Sequence, residues 1–352
     1  MGRHSRTSFS PCHTHGTSSL TRRTTGFSLA YRRFHDGGRA LSHIQLGEGA
    51  EFDLIRQMVT RWGPFVDGIG DDAAILSGIS GGSLVVSTDT AVENVDFRRG
   101  WLGPREIGYR ATAGALSDLA GMAATPIGIL LAMTLPDDWR KDIDAIAEGV
   151  GDAVKESSTQ IVGGDLSAGR DLSFTITVLG VADRPLRRSD ARAGDRVYVT
   201  GELGGPAAAL AAISSGRTPE PEHRARFAHP VPRLREARWL ASHGATAGTD
   251  ISDGLAADLA NIAAASGVCI SLSLDRIPRI KGVDGGRDAA ESGEEYELAV
   301  TASRELDTRA FHDEFGIRLT EVGAVEAGRP IVRVFDRGAP VPTPPGYMHF
   351  KR

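Results

Sequence analysis

A mixed α/β fold in two lobes is what this sequence predicts, on three observations. Runs of aliphatic and β-branched residues alternate irregularly with helix-like stretches, without a strict βαβ rhythm. At 352 residues the chain is long enough for two domains. A polar stretch containing Pro and Gly, "DRPLRRSDARAGD" at 183–195, divides the elements into two groups and is the candidate linker. The expected units are 45–185 and 190–350, preceded by an extension at 1–44.

Each element has its own signal. In "EFDLIRQMV" (51–59), Phe52, Ile55 and Val59 recur at helical spacing. "SLVVSTDT" (83–90) is a β-rich run ending in polar residues. "PREIGYRATAGALSDLAGMA" (104–123) reads as a helix with Pro104 in its first turn. "GILLAMTLP" reads as a buried strand, followed by a helix around 140–156, a short strand in "TQIVGGD" and an alternating strand in "LSFTITVLGVA". In the second unit "RVYVTG" is a strand, "PAAALAAISSG" a small-residue helix, and "HPVPRLREARWLASHG" holds another helix. "TAGTDISDGLAADLANIAAASG" runs from a turn into a helix through Leu255, Leu259 and Ile262. "CISLSL", "YELAVTA" and "GIRLTEVGAV" complete the strands.

Composition excludes several classes. No apolar run approaches the length needed to span a bilayer, so no membrane partner is expected. Cys12 and Cys269 are the only cysteines, too few for a disulfide framework or a thiolate metal site, and a reducing cytoplasm is the expected compartment. Residues 1–44 hold seven Arg against one acid, Asp36, and read as a disordered or targeting extension, or as the product of a misassigned start codon. The remainder carries 33 Lys and Arg against 44 Asp and Glu, which argues against nucleic acid and suits a protein that holds divalent cations.

The carboxylates point to that cation. Asp71 and Asp72 precede a strand, Asp89 follows one, Asp118 lies within a helix, Asp165 ends "IVGGD", and Asp250 and Asp253 open the helix of "TDISDGL". Several sit at element ends, where side chains converge on clefts. Separated Asp residues, with Ser87 and Thr88 nearby, fit Mg2+ better than zinc or iron. Blander readings stand beside this one: "GDD" as a solvated turn, Asp253 as a helix N-cap, and "VTGELGGPAAAL" as a Gly turn rather than a phosphate cradle. Asp118 resists such a reading. It shares a helical stripe with Ala111, Ala115 and Met122, where a carboxylate is costly unless a cation meets it. No G-x-x-x-x-G-K-[ST] loop is present, and none of the four Lys lies in a glycine-rich phosphate loop.

Eight segments in unbroken order resemble the thiamine-monophosphate kinase family: "GIGDDAAIL", "VVSTDTAVENVDF", "WLGPREIGYRATAGALSDLAGMAATP", "IVGGDLSAG", "RSDARAGDRVYVTGELG", "DISDGLAADL", "SGEEYELAVT" and "GYMHF". The resemblance implies the two-domain fold shared with aminoimidazole ribonucleotide synthetase, a homodimer through the N-terminal domains, and ATP in a cleft between the domains. It implies transfer of the γ-phosphoryl of ATP to thiamine monophosphate, with no dedicated general base. By resemblance, Asp72, Ser87, Thr88, Asp89, Asp118, Asp165, Asp250 and Asp253 are Mg2+ ligands. Gly164, Asp165, Arg188 and Ser252 contact ATP, and Asp96, Glu294 and Tyr347 occupy substrate positions.

Four positions depart from the family pattern. Asp96 replaces a His, Ala115 an Asn, and Ser292 and Glu295 alter "GGEDYEL". The metal frame is intact, and the altered positions are expected towards the acceptor, where Arg98 or Arg99 is a candidate to take over a phosphate contact. Two further readings fit the same residues: a same-fold ATP-dependent enzyme with another acceptor, and a nucleotide-binding protein without turnover.

Overall fold

The computed structural model describes residues 71–79 and 82–348. The expected helix at 51–59, the extension at 1–44 and Cys12 lie outside them.

The first group of elements builds a five-stranded sheet. Its strands are β1 (Ala74–Ile79), β2 (Gly82–Val92), β3 (Thr125–Leu135), β4 (Ile161–Ala168) and β5 (Ser173–Ala182), in the order β1-β2-β5-β3-β4. All neighbours are antiparallel except β3 and β4. The alternation in "LSFTITVLGVA" is realised in β5, which buries every second residue. "GILLAMTLP" forms a strand as expected, but its burial is corrected: β3 is exposed at Ile127 and Leu130, because helices cover one face of this sheet within the chain.

That cover consists of α1 (Pro104–Gly121) and α2 (Ile143–Glu156). Pro104 pre-sets the first turn of α1, and the Glu106 carboxylate accepts the Gly103 N–H at 2.8 Å. The two helices cross closely because glycines meet backbone: a Cβ on Gly108 would lie 2.3 Å from the Ile146 carbonyl oxygen. Helix α1 also packs on elements of the second sheet, so it is the common wall of both halves.

The second group forms a seven-stranded sheet in the order β12-β11-β8-β10-β6-β9-β7. Its strands are β6 (Arg196–Thr200), β7 (Ala245–Asp250), β8 (Cys269–Ser273), β9 (Leu298–Ala302), β10 (Leu319–Glu326), β11 (Val332–Asp336) and β12 (Ala339–Val341). Its helices are α3 (Gly205–Ser214), α4 (Pro221–Ala228), α5 (Leu234–His243), α6 (Leu255–Ser266), α7 (Gly286–Glu291) and α8 (Thr308–Phe315). Strand β7 corrects the expected turn at "TAGTD". Its residues are small because the end of α1 lies on them: a Cβ on Gly248 would stand 3.1 Å from the Gly121 carbonyl oxygen. Asp250 therefore ends a strand, and Gly254, not Asp253, is the N-cap of α6.

A buried ionic network ties this half together. Glu297 accepts from Thr200 Oγ1 at 2.7 Å, Arg226 at 2.6 Å and Arg233 at 2.5 Å. Burial alone would raise its pKa, but Arg233 and Arg226 hold it at about 2. Breaking such a pair strands a buried charge, so Glu297→Ala should cost about 3–5 kcal/mol in denaturant melts. Because the folded pKa is depressed, the contribution of Glu297 is full above about pH 4.5 and is lost as pH falls towards 2. Wild-type stability at Glu297→Ala, or an unchanged acid limb, would refute this account of the network.

Candidate active site

Three elements bring carboxylates to one point. Asp72 comes from the turn before β1, Asp118 from the last turn of α1 and Asp250 from the end of β7. Each offers an oxygen within 4.8 Å of the others'. At that spacing, and with an effective dielectric near 20, a pair of carboxylates repels by about 3–4 kcal/mol. Burial and neighbouring carboxylates accordingly push the pKa of Asp118 well above the usual range, and burial likewise raises that of Asp250. Burial, opposed by Arg188, pushes Asp72 up to about 7. The second oxygen of Asp72 is buried without a hydrogen-bond partner among the described residues. A hard divalent cation satisfies all these conditions at once.

Further residues support the cluster. Ser87 donates to Asp118 at 2.5 Å. Strand alternation puts Ser87 and Asp89 on the side of β2 that faces α1. Arg188, in a short 3-10 turn at Arg188–Asp190, pairs with Asp72, while Asp71 accepts the backbone N–H of Arg188 at 2.7 Å. The two adjacent carboxylates thus divide their work: Asp72 faces the cluster, and both hold Arg188. The candidate linker is in this way anchored to the first sheet.

A cavity of about 640 Å³ opens from the cluster. Of the expected site residues, Asp89, Asp96, Asp118, Asp250, Ser252, Asp253, Glu294 and Tyr347 line it. Asp72, Ser87 and Arg188 reach it through the contacts above. Three others do not join them within the chain. Thr88 points to the opposite side of β2, bonded to Thr177 at 3.1 Å. Gly164 and Asp165 lie on β4, which is exposed throughout, and Gly164 shares a row with Asp89 three strands away, roughly 14 Å at ordinary strand spacing.

Several residues were not anticipated. Thr249 donates to Asp72 at 3.0 Å, and was hidden by reading "TAGTD" as a turn. Asp258 accepts the N–H groups of Ser252 (3.1 Å) and Asp253 (3.2 Å), fixing the loop that carries both. A buried carboxylate in the Ala-rich α6 is the same signal that singled out Asp118. Arg110, a buried cation in the small-residue α1, donates to the Phe227 carbonyl at 2.5 Å, stacks on its ring and pairs with Glu294.

The departures are also placed. Asp96 lines the cavity and accepts the Val92 N–H at 2.8 Å. Arg99 lies over Trp139 and pairs with Asp138 at 3.0 Å, with Glu93 and Asp142 also within 4 Å, and it does not line the cavity. Arg98 lies over Trp101. Ser292 and Glu295 are buried against α3 rather than turned into the cavity.

Family comparisons agree with this geometry. The model for AIR synthase related protein, N-terminal domain, matches residues 70–182, and that for AIR synthase related protein, C-terminal domain, matches 192–335. The thiamine-monophosphate kinase of Salmonella typhimurium is 35% identical over 301 residues, covering 80% of this chain and 91% of the relative. The chain belongs to the thiamine-monophosphate kinase family. The Bacillus subtilis member is 32% identical over 329 residues, covering 86% of this chain and 99% of its own length. Among solved structures, AaThiL complexed with AMPPCP and TMP matches with a TM-score of 0.75 at 29% identity, covering 86% of this chain and 97% of that one. No helix among the described residues is long and apolar enough to cross a membrane.

In this member of the thiamine-monophosphate kinase family, close packing at Gly121 sets the cluster's spacing. A Cβ there would lie 2.9 Å from Asp72 Oδ2 and 3.0 Å from the Asp250 backbone nitrogen. Gly121→Val should therefore cost about 1–3 kcal/mol in thermal melts and weaken divalent-cation binding in calorimetry. Wild-type values for both would show that the cluster is not set by this contact.

Proposed function

We propose that this chain transfers the γ-phosphoryl group of ATP to the phosphate of thiamine monophosphate, releasing thiamine diphosphate and ADP. The observation that carries this reading is a three-carboxylate cluster opening into a cavity that is also lined by aromatic residues, in a chain of this family. The relative solved with AMPPCP and TMP supports an ATP analogue and the monophosphate as the two occupants.

Asp72, Asp118 and Asp250, with Ser87, Asp89 and Asp253, fit Mg2+ by donor chemistry and by the orphaned oxygen of Asp72. When bound, Mg2+ offsets charge on both phosphate groups. The chain's own residues position the partners. Arg188 and Ser252 serve the nucleotide. Phe97, Trp101, Tyr296 and Tyr347 give the acceptor's rings flat apolar surface, and Asp96 and Glu294 suit its cationic thiazolium. The described lining carries seven carboxylates against Arg110 alone, and Glu294 already engages that Arg. The acceptor phosphate is thereby directed to the metal end. A phosphate oxygen is already nucleophilic, so in-line placement replaces a general base.

The proposal extends to organisation. Residues 45–185 and 190–350 act as two units, with 1–44 outside both. Exposed Ile127, Leu130, Ile161, Val162 and Leu166 support a homodimer through the first sheet, in which a second copy gives Thr88, Gly164 and Asp165 their neighbours. Cys269 is free and buried, which suits the reducing cytoplasm.

Incubation with Mg-ATP and thiamine monophosphate should yield thiamine diphosphate stoichiometric with ADP. Asp89→Asn and Asp118→Asn should each lower kcat about a hundredfold or more, while EDTA abolishes turnover and Mg2+ restores it. Full activity in EDTA, or ADP release only with a different acceptor, would sink the proposal.

A further inference from the structure

The segment Glu291–Tyr296 has two faces. Glu291, Gly293, Glu294 and Tyr296 line the cavity. Ser292 and Glu295 turn away and are buried, at 0% and 3% exposure. What they meet is the start of α3. Ser292 Oγ accepts the Ala207 N–H at 3.3 Å, and Glu295 Oε1 accepts the Gly204 N–H at 2.6 Å. Gly204 is the N-cap of that helix and Ala207 its third residue. An S-x-x-E sequence ordinarily serves those two N–H groups of its own helix. Here "SGEE" serves a helix some 85 residues earlier in the chain, and α3 has no side-chain cap of its own.

The consequence reaches the cavity, because Pro206, Ala207 and Leu210 of α3 form part of its wall. The opposite side of the tie is constrained as well. Glu294 and Tyr296 have φ of +56° and +53°, uncommon for residues with a side chain, and are held by N–H bonds to Ser252 O (2.7 Å) and Ile251 O (2.9 Å). The second oxygen of Glu295 is buried without a hydrogen-bond partner among the described residues, and Arg226 lies 3.8 Å from it. Arg226 also bonds Glu297 and the Glu202 carbonyl, so the carboxylate is held by charge on one side and helix N–H on the other.

We propose that Ser292 and Glu295 are positioning residues for the acceptor end of the cavity. They cap α3 from a distance and lock its first turn to the segment bearing Glu294 and Tyr296, fixing the width of the acceptor slot. This rests on the acceptor reading of the cavity given above. Neither residue touches the acceptor; both act through α3 and Glu294.

The test combines kinetics with amide hydrogen exchange on the full chain. Glu295→Ala and Ser292→Ala should each raise KM for thiamine monophosphate about five- to tenfold, the loss of one buried hydrogen bond, with KM for ATP and kcat within about twofold. Exchange at Gly204 and Ala207 should quicken in the same variants. Glu295→Gln keeps an acceptor oxygen for Gly204 and should restore most of the KM and the protection. Unchanged KM and exchange in both Ala variants would overturn the proposal, and so would a parallel rise in KM for ATP. If the wild-type protein makes no thiamine diphosphate, the acceptor reading has failed. The exchange data still decide whether the distant cap exists, because they need no acceptor.

Discussion

Mutual repulsion among Asp72, Asp118 and Asp250 is the constraint around which this molecule is arranged. Three oxygens within 4.8 Å, supplied by a turn, a helix and a strand end, sit at a local energetic disadvantage that protonation, packing or a cation must offset. Arg188 offsets part of it by pairing with Asp72. The rest falls on the surrounding fold, which brings these elements together through contacts far from the carboxylates themselves. Stability is in this sense stored elsewhere and applied to the site.

Helix α1 is the member through which that happens. Its small residues let it lie against α2, the first sheet and β7, and Gly121 lets Asp72 and Asp250 approach its end. Asp118 is then carried to the meeting point of both halves. The short turn of Arg188 closes the arrangement, since Asp71 and Asp72 grip its backbone and its side chain respectively. Beside the cluster, Asp258 fixes the loop of Ser252 and Asp253, and elsewhere in the cavity wall the Ser292–Glu295 cap fixes α3. Nucleotide and acceptor would thus meet a frame whose parts are individually held, as positioning catalysis requires.

Much of this was legible in the sequence. The alternation of β5 and the Pro-initiated, Ala-rich α1 were strong local signals, and the carboxylate on the small, apolar stripe of α1 marked the site directly. What failed to show had a physical reason in each case. Strand β7 is made of small, turn-like residues because α1 packs on it, so tertiary packing overrode local propensity. Strands β11 and β12 and helices α4, α7 and α8 are short, and periodicity over so few residues carries little information. The roles of Thr249 and Asp258 depend on partners near in space but not in their local sequence pattern. Ser292 and Glu295 were expected towards the acceptor, yet alternate residues of one segment face opposite ways, and these two face α3.

The most direct measurement is thermal unfolding of wild type and Asp118→Asn, with and without Mg2+, at neutral pH. If repulsion dominates the cation-free cluster, Asp118→Asn should melt higher than wild type in EDTA. Millimolar Mg2+ should raise the wild-type Tm through binding to the native state and leave the variant nearly unmoved, so that the order of the two narrows or reverses. A variant that melts well below wild type in EDTA, or that gains as much from Mg2+ as wild type does, would contradict the account.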